Sequence, residues 1–141
     1  MRLHAFAGEW RVERAIEDVR AGRAGRFEGR AIFTPDADGL AYLEEGVLTM
    51  DGAAGFAATR RYRWRDAGAG TIEVRFDDGR LFHRFYADEP MPGAAHECPP
   101  DQYRVGYDFR AWPRWIADWR ARGPRKDYRI VSTFTRLGAG S

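Results

Sequence analysis

The sequence has a single cysteine and no long apolar run. Cys98 has no possible intrachain partner among the 141 residues, which excludes an internal disulfide and gives no reason to expect an oxidising compartment. No window approaches the roughly 18 uninterrupted apolar residues of a membrane-spanning helix. Residues 1–7, ahead of the first predicted strand, lack an apolar core of signal-peptide length. We therefore expect a soluble, cytoplasmic protein with no membrane partner.

Lysine is almost absent as well. Of the 23 basic residues only Lys126 is lysine, and this bias, with abundant alanine and glycine, is typical of a GC-rich genome rather than of a nucleic-acid-binding surface. The net charge is only +2, with acidic and basic residues interleaved along the chain. No predicted face collects a basic stripe, so nucleic acid is not expected as a partner.

Short segments of alternating apolar and polar residues, separated by turns rich in glycine and aspartate, make up most of the chain. A period of two indicates β-strands. Eight strands are predicted, over residues 8–18, 26–34, 40–49, 56–65, 71–76, 80–85, 102–109 and 127–137. The longest irregular stretch, 87–100, contains four prolines and is predicted to be a loop.

One helix is predicted just before the last strand. Aromatic residues recur there at helical spacing, with a proline near the start and a Gly-Pro pair at the end. The pattern consists of Trp112, Pro113, Trp115, Ile116, Trp119, Gly123 and Pro124. We expect this helix to pack on the barrel wall or to cover one mouth. The alternative is that its apolar stripe forms the surface of a homodimer.

Eight strands, hairpin-length turns and one short helix predict an all-β fold. Residues 1–141 are expected to form one domain, an eight-stranded antiparallel up-and-down β-barrel. A sandwich of two sheets is the structural alternative. In a barrel of eight strands the interior is either filled by side chains or holds one small ligand.

Two positions carry a resemblance to known barrels. Gly8-x-Trp10, at the head of the first strand, resembles the opening motif of the lipocalin and calycin superfamily. Arg136 in the last strand resembles the arginine that packs across that tryptophan in the superfamily, a contact worth roughly 0.5–2 kcal/mol. The chain has neither the disulfide nor the Thr-Asp-Tyr motif of typical lipocalins.

Over its whole length the chain resembles a family of uncharacterised bacterial lipocalin-like domains. The motifs that carry this resemblance are Asp78-Gly79-Arg80-x-Phe82-His83, His96-x-Cys98-x-x-Asp101-x-Tyr103 and Gly123-Pro124-Arg125-Lys126-Asp127-Tyr128. The resemblance implies a fold but does not indicate an activity.

Strand parity places charged side chains inside the predicted barrel. Arg14 falls on the same face of the first strand as Trp10. The same parity, carried round the sheet, turns Arg60 and Arg136 inward as well, against the single carboxylate of Glu44. If Arg136 packs on Trp10, two guanidinium groups remain for one carboxylate, and an unpaired buried charge costs several kcal/mol. This imbalance predicts a cavity that accepts an anion.

The predicted function is binding of a small amphipathic, carboxylate-like anion in that cavity. Arg60-x-Tyr62 resembles the carboxylate grip of fatty-acid-binding barrels, and aromatic side chains would cover the apolar part of the ligand. The candidate ligand-binding residues are Arg14, Tyr42, Glu44, Arg60, Tyr62, His83, Tyr103, Tyr107 and Tyr128. No cofactor and no metal are expected.

Two alternatives use the same residues differently. In the first, the protein is a structural or interaction barrel with a filled interior, in which Arg14 and Glu44 form a structural pair and Arg60 reaches out over the rim. In the second, it is a cofactor-free lyase or isomerase that resembles the lipocalin-like phenolic acid decarboxylases. Glu44 is then the candidate acid or base, with Tyr42 and Tyr62 as hydrogen-bond donors.

Histidine-based sites are further alternatives. His83, if it faces inward, has the chemistry of a haem or metal ligand, but a lone histidine on a strand is more often hydrogen-bonded structure. His96-x-Cys98-x-x-Asp101 has metal-ligand types without a fourth ligand, and we interpret it as a loop anchor.

Overall fold

Alternation of inward apolar and outward polar side chains turns almost the whole chain into strands. The computed structural model describes residues 1–138. A short 3₁₀ turn, Leu3–Phe6, precedes the sheet. The ten strands are β1 (Gly8–Asp18), β2 (Arg23–Pro35), β3 (Gly39–Met50), β4 (Phe56–Gly68), β5 (Thr71–Phe76), β6 (Leu81–Tyr86), β7 (Gly93–Cys98), β8 (Asp101–Asp108), β9 (Trp115–Gly123) and β10 (Lys126–Arg136).

The strands form one antiparallel sheet in the order β6-β5-β4-β3-β2-β1-β10-β9-β8-β7. Sequence neighbours pair except for β6 and β7, which are the two ends of the sheet, and the pairing of β1 with β10 joins the two halves of the chain. The two end strands, β6 and β7, come together across a seam where side chains meet, as in the contact of Phe82 with His96 at 5.2 Å between ring centroids. The sheet is thus a nearly closed barrel, which confirms the all-β antiparallel prediction.

The predicted number of strands is wrong, because two segments were assigned to other structures. The segment predicted as a helix is β9, in which Trp115, Ala117 and Ala121 are buried at alternate positions. Trp115 and Trp119 are four residues apart, a separation that fits one face of a helix and one face of a strand equally well. The small side chains of the intervening inward alanines hide the period of two.

The other missed strand is β7, which lies inside the proline-rich stretch predicted as a loop. Its first half is Gly93-Ala94-Ala95, residue types that are depleted in strands. The strand forms because β8 offers a complete antiparallel partner, from Gly93 opposite Gly106 to Cys98 opposite Asp101. Within residues 1–138, the one helical element is the N-terminal 3₁₀ turn.

Aromatic side chains close one end of the barrel. Phe6 and Trp10 are fully buried there, and the indole Nε1 of Trp10 donates a hydrogen bond to the Phe6 carbonyl at 2.9 Å. Arg136 lies opposite Trp10 in the strand register, with its guanidinium carbon 4.0 Å from the centre of the indole ring. It also donates 2.7 Å hydrogen bonds to the carbonyls of Ala5 and Ala7. The predicted contact of arginine and tryptophan is confirmed.

No helix in the described part of the chain combines the length and the apolar character that a bilayer crossing requires.

Candidate ligand-binding cavity

Above the aromatic floor the barrel encloses a cavity of about 190 Å³. Its wall is mostly aromatic, with a few charged and hydroxyl-bearing side chains. The residues that line it are Arg14, Tyr42, Glu44, Arg60, Tyr62, Trp64, Val74, Phe82, His83, Tyr103, Tyr107, Trp115, Ala117, Trp119, Ala121, Ile130, Ser132 and Phe134. The described interior is therefore partly hollow rather than packed shut.

A buried ion pair crosses the barrel between β1 and β3. Arg14 donates from Nη1 to Glu44 Oε2 at 2.8 Å and from Nη2 to Oε1 at 2.6 Å, and its Nε donates to Ser132 Oγ at 2.7 Å. Tyr42 adds a 2.6 Å hydrogen bond from its hydroxyl to Glu44 Oε1. All three donor nitrogens of Arg14 have partners, and its charge is balanced by Glu44, so the two residues form the structural pair described for the filled-barrel alternative.

The ion pair keeps both of its members charged. Burial raises the pKa of Glu44, but the hydrogen bonds and positive charge of Arg14 outweigh it, so this pKa lies below its usual range. Burial likewise lowers the pKa of Arg14, and Glu44 more than compensates. The pKa of Tyr42 is raised well above its usual range by burial and by the adjacent carboxylate. Glu44 is thus an ionised, weakly basic carboxylate at neutral pH.

A second arginine lies where the cavity meets solvent. Arg60, opposite Glu44 in the register of β3 and β4, lines the cavity and is also exposed, so the cavity reaches the surface at this point. Two residues further on, Tyr62 lines the same wall. Neither the Arg60 guanidinium nor the Tyr62 hydroxyl has a hydrogen bond or ion pair within residues 1–138. Both side chains line the cavity without a hydrogen bond of their own in this part of the chain, and the charge of Arg60 also acts on the Glu44 carboxylate.

On the opposite wall, His83 faces inward by the ordinary alternation of β6, in which His83 and Phe85 are buried and Arg84 and Tyr86 are exposed. A β-bulge lies next to it. Val74 is opposite His83 and Arg75 is opposite Leu81, so Phe82 is an extra residue in β6. The bulge allows two successive side chains, Phe82 and His83, to line the cavity. His83 Nε2 lies 2.7 Å from the hydroxyl of Tyr107 on β8, and both residues are buried.

The pair of His83 and Tyr107 is uncharged. Burial lowers the pKa of His83 to about 3, with a smaller contribution from the charge of His96. Burial also raises the pKa of the Tyr107 hydroxyl. The cavity therefore has one wall with charged groups, around Arg14 and Arg60, and one wall with neutral hydrogen-bonding groups.

The neutral state of His83 predicts a pH-dependent stability. The unfolded chain protonates this histidine near pH 6.5 and the folded protein only near 3. Below pH 6.5 the unfolded state thus binds a proton that the folded state does not, and the free energy of unfolding is expected to fall by about 1.4 kcal/mol per pH unit. Because the unfolded-state histidine is only half protonated at pH 6.5, the expected loss between pH 6.5 and 5 is about 1.6 kcal/mol, measured by urea denaturation.

The variant His83→Phe provides the comparison for this experiment, because its stability should change little over the same interval. The paired carboxylates affect the pH dependence of stability only at lower pH. Glu44 has a lowered pKa, so it stabilises the fold fully above the unfolded-state value of 4.5 and loses that contribution as the pH falls further. Equal pH slopes for the native chain and the variant between pH 6.5 and 5 would contradict a buried neutral His83.

The structure brings most of the predicted ligand-binding residues together. All nine except Tyr128 line the cavity. Tyr103 lies near its mouth, where its hydroxyl accepts a hydrogen bond from Lys126 Nζ at 3.3 Å. Sequence reasoning missed the contributions of β9, above all Trp115 and Trp119, because it placed them on a helix. The sequence signal that identifies this strand is the alternation of inward residues with a period of two, at Trp115, Ala117, Trp119 and Ala121.

Two other hypotheses change with the structure. The tryptophans of β9 face the interior, since Trp115 is buried and Trp119 lines the cavity, so they do not form an outward homodimer surface. No group of three or more histidine, cysteine, aspartate or glutamate side chains with the geometry of a metal site occurs among residues 1–138, and His96 packs instead against Phe76 and Phe82.

Comparison with known proteins gives a family and a fold. A family model described as a family of unknown function, DUF6314, matches residues 6–136. No curated protein matches the sequence. The S-type phycobiliprotein lyase CPES from Guillardia theta has a similar structure, with a TM-score of 0.69 and 9% identity over 97% of this chain and 91% of that one. A redesigned β-barrel, mFAP1, bound to DFHBI, gives a TM-score of 0.49 and 11% identity over 95% of this chain and 97% of that one.

Proposed function

The chain belongs to the DUF6314 family of unknown function, and we propose that its barrel binds a small amphipathic anion, of the carboxylate class, in the central cavity. The observation that carries the proposal is the pair of unpaired donors on β4. Arg60 and Tyr62 lie two residues apart on one strand, line the same cavity and have no hydrogen-bond partner among the described residues. A carboxylate that meets both receives two charge-assisted hydrogen bonds.

The charges that line the cavity favour an anion. Two guanidinium groups, those of Arg14 and Arg60, face one carboxylate, that of Glu44, and His83 is neutral. Because Arg14 and Glu44 neutralise each other through two short hydrogen bonds, the remaining positive charge is on Arg60. Arg60 is therefore assigned to the anionic group of the ligand, and Arg14 to holding Glu44 and the wall around it.

Cavity size and lining favour a ligand with one ring or a short apolar chain. An apolar cavity of about 150 Å³ binds benzene, so the 190 Å³ found here accommodates a single substituted ring. Phe82 and Trp119 stack at 5.0 Å and 10°, next to Tyr62. These aromatic faces are suited to the apolar part of the ligand.

Benzoate and its uncharged analogue benzamide test the proposal by calorimetric titration. The native chain is expected to bind benzoate more tightly than benzamide. Arg60→Ala is expected to weaken benzoate binding at least about 10-fold, since a hydrogen bond to a charged group contributes roughly 1.5–3 kcal/mol. The affinity for benzamide should change little.

Arg61→Ala is the matched control, because Arg61 is the adjacent residue on the same strand and faces solvent. It should leave benzoate affinity unchanged. Hexanoate and phenyl phosphate extend the test to non-aromatic and phosphate anions. The proposal fails if benzamide binds as tightly as benzoate, or if Arg60→Ala and Arg61→Ala have the same effect. Failure of every anion to bind favours the structural or interaction barrel.

The enzymatic alternative has less support in the geometry of Glu44. Its carboxylate accepts hydrogen bonds from Arg14 and Tyr42 and has a lowered pKa, so it is neither a ready proton donor nor a strong base. A cofactor-free lyase or isomerase would be supported instead if an aromatic acid were turned over and the turnover were lost in Glu44→Gln.

The proposal includes several finer points. Residues 1–141 are taken as one lipocalin-like domain of the calycin type and of bacterial origin, and the packing of Arg136 on Trp10 supports the lipocalin-like fold. The remaining candidate contacts are Tyr42, Tyr103 and Tyr107, and Tyr128 stays a candidate outside the residues that line the cavity. A cytoplasmic location is proposed from the single cysteine. A homodimer stays a separate hypothesis without the tryptophan stripe as its surface.

A further inference from the structure

The neutral wall of the cavity contains polar atoms that the protein itself does not satisfy. Nδ1 of His83 and Nε1 of Trp115 are buried and have no hydrogen-bond partner among the described residues. Both residues line the cavity, and His83 is only 3% exposed. A buried donor or acceptor without a partner is destabilising, so these atoms indicate that the wall is built for a further polar contact.

The His83–Tyr107 pair has one unused hydrogen in either tautomer: it is on Nδ1 in one, and on the Tyr107 hydroxyl, with Nδ1 then a free acceptor, in the other. If the Tyr107 hydroxyl donates to Nε2, the imidazole proton is on Nδ1 and this N–H is unpaired. If Nε2 donates to the hydroxyl oxygen, the Tyr107 O–H is left without an acceptor. In both cases one hydrogen of the pair is unused, and the indole N–H of Trp115 is a second unused donor.

Within residues 1–138 this hydrogen makes no hydrogen bond, and aromatic rings form much of its surroundings. Phe82 and Trp119 lie nearly perpendicular to the imidazole, at 4.7 and 5.0 Å between centroids, and the Phe85 ring contacts the Tyr107 ring at 4.4 Å with a tilt of 34°. An N–H directed at a ring face makes only a weak interaction. The carboxylate of Glu44 is already held by Arg14 and Tyr42.

We infer that the wall formed by His83, Tyr107 and Trp115 is a second binding subsite, which takes a neutral hydrogen-bond acceptor such as a carbonyl or ether oxygen. This inference rests on the proposed function and specifies it: the ligand has an anionic group at Arg60 and an uncharged acceptor at the other side of its apolar body. An acidic or cationic group is disfavoured at the subsite, because the subsite is buried and has no countercharge.

Two probes that differ only at the acceptor test the inference. 4-Acetylbenzoate and 4-isopropylbenzoate have nearly the same shape, and only the first has a carbonyl oxygen opposite the carboxylate. The quantity measured is the ratio of their dissociation constants, by calorimetric titration. Tyr107→Phe and His83→Phe are each expected to change this ratio by about five-fold or more in favour of the isopropyl compound, because each removes part of the donor set.

Tyr86→Phe is the matched control, since Tyr86 is largely exposed and does not line the cavity. It should leave the ratio unchanged. Tyr107→Phe keeps the ring and its packing, and circular dichroism of both variants checks that they fold. Equal ratios in the native chain, Tyr107→Phe and His83→Phe would overturn the inference, as they would show that the donors are satisfied without the ligand.

A neutral pair of probes separates the inference from the proposed function. Acetophenone and isopropylbenzene repeat the comparison without a carboxylate. If acetophenone shows the expected dependence on Tyr107 while the carboxylates gain nothing from Arg60, the acceptor subsite stands and the anion proposal fails. If the carboxylates depend on Arg60 but neither pair depends on Tyr107 or His83, the anion proposal stands and the acceptor subsite fails.

Discussion

Replacing Arg14 with leucine is expected to lower the free energy of unfolding by about 3–5 kcal/mol, the usual cost of leaving one member of a buried ion pair alone. The side chains of Arg14 and Glu44 are only 11% and 3% exposed, so the abandoned carboxylate has little access to solvent. The substitution also removes the partner of Ser132. The measurement is urea denaturation followed by circular dichroism at pH 7.

A double-mutant cycle separates the interaction energy between Arg14 and Glu44 from the effect of each substitution alone. Replacing Arg14 and Glu44 together by leucine should recover most of the loss, because well-packed apolar residues often replace a buried ion pair at no cost. Arg11→Leu, on the solvent face of the same strand, is the control and should stay within about 0.5 kcal/mol of the native chain. An Arg14→Leu loss as small as that of Arg11→Leu would contradict a buried pair.

Trp10→Ala is expected to cause a loss of similar size, about 3–5 kcal/mol. Trp10 is fully buried and contacts the rings of Trp112 and Trp115 at 5.5 and 5.9 Å. The change creates a cavity at the closed end, removes the hydrogen bond to Phe6 and leaves the Arg136 guanidinium without its ring. Urea denaturation measures the loss.

Phe56→Ala is the matched aromatic control, because Phe56 is 56% exposed and should lose far less. If Trp10→Ala does not fold, Trp10→Phe keeps the experiment informative, since a smaller ring should still fold with part of the loss. Equal stabilities of Trp10→Phe and the native chain would show that the indole contacts with Arg136 and Phe6 contribute little.

The sequence predicts the first six strands, β8 and the last strand because many of their inward residues are large. Along β1 and β3, bulky apolar side chains at alternate positions indicate both the strand and its buried face, and this parity also identifies Arg14 and Glu44 as inward. β7 and β9 escape prediction for the opposite reason. Small inward residues, such as Ala117 in β9, leave the period of two unmarked, and large ones four apart imitate a helix.

Strand parity predicts which residues line the site, but it does not predict which of them form hydrogen bonds with one another. Counting alternate residues places Arg14, Glu44 and Arg60 inside, but the stagger of the strands decides which of them meet. Arg60 is opposite Glu44 in the register, yet Glu44 takes both of its arginine hydrogen bonds from Arg14, two strands away. The inward position of Phe82 beside His83 depends on a bulge, which no local residue pattern marks.

The seam between β6 and β7 gives the barrel a compliant side. Elsewhere the circumference of the sheet is set by backbone ladders, but β6 and β7 are its two ends and meet through the rings of Phe82 and His96. Separating β6 from β7 would break ring contacts between their side chains and would leave the backbone hydrogen bonds of the sheet intact. Because Phe82 also lines the cavity, a ligand larger than the cavity would be accommodated by separation of these two strands.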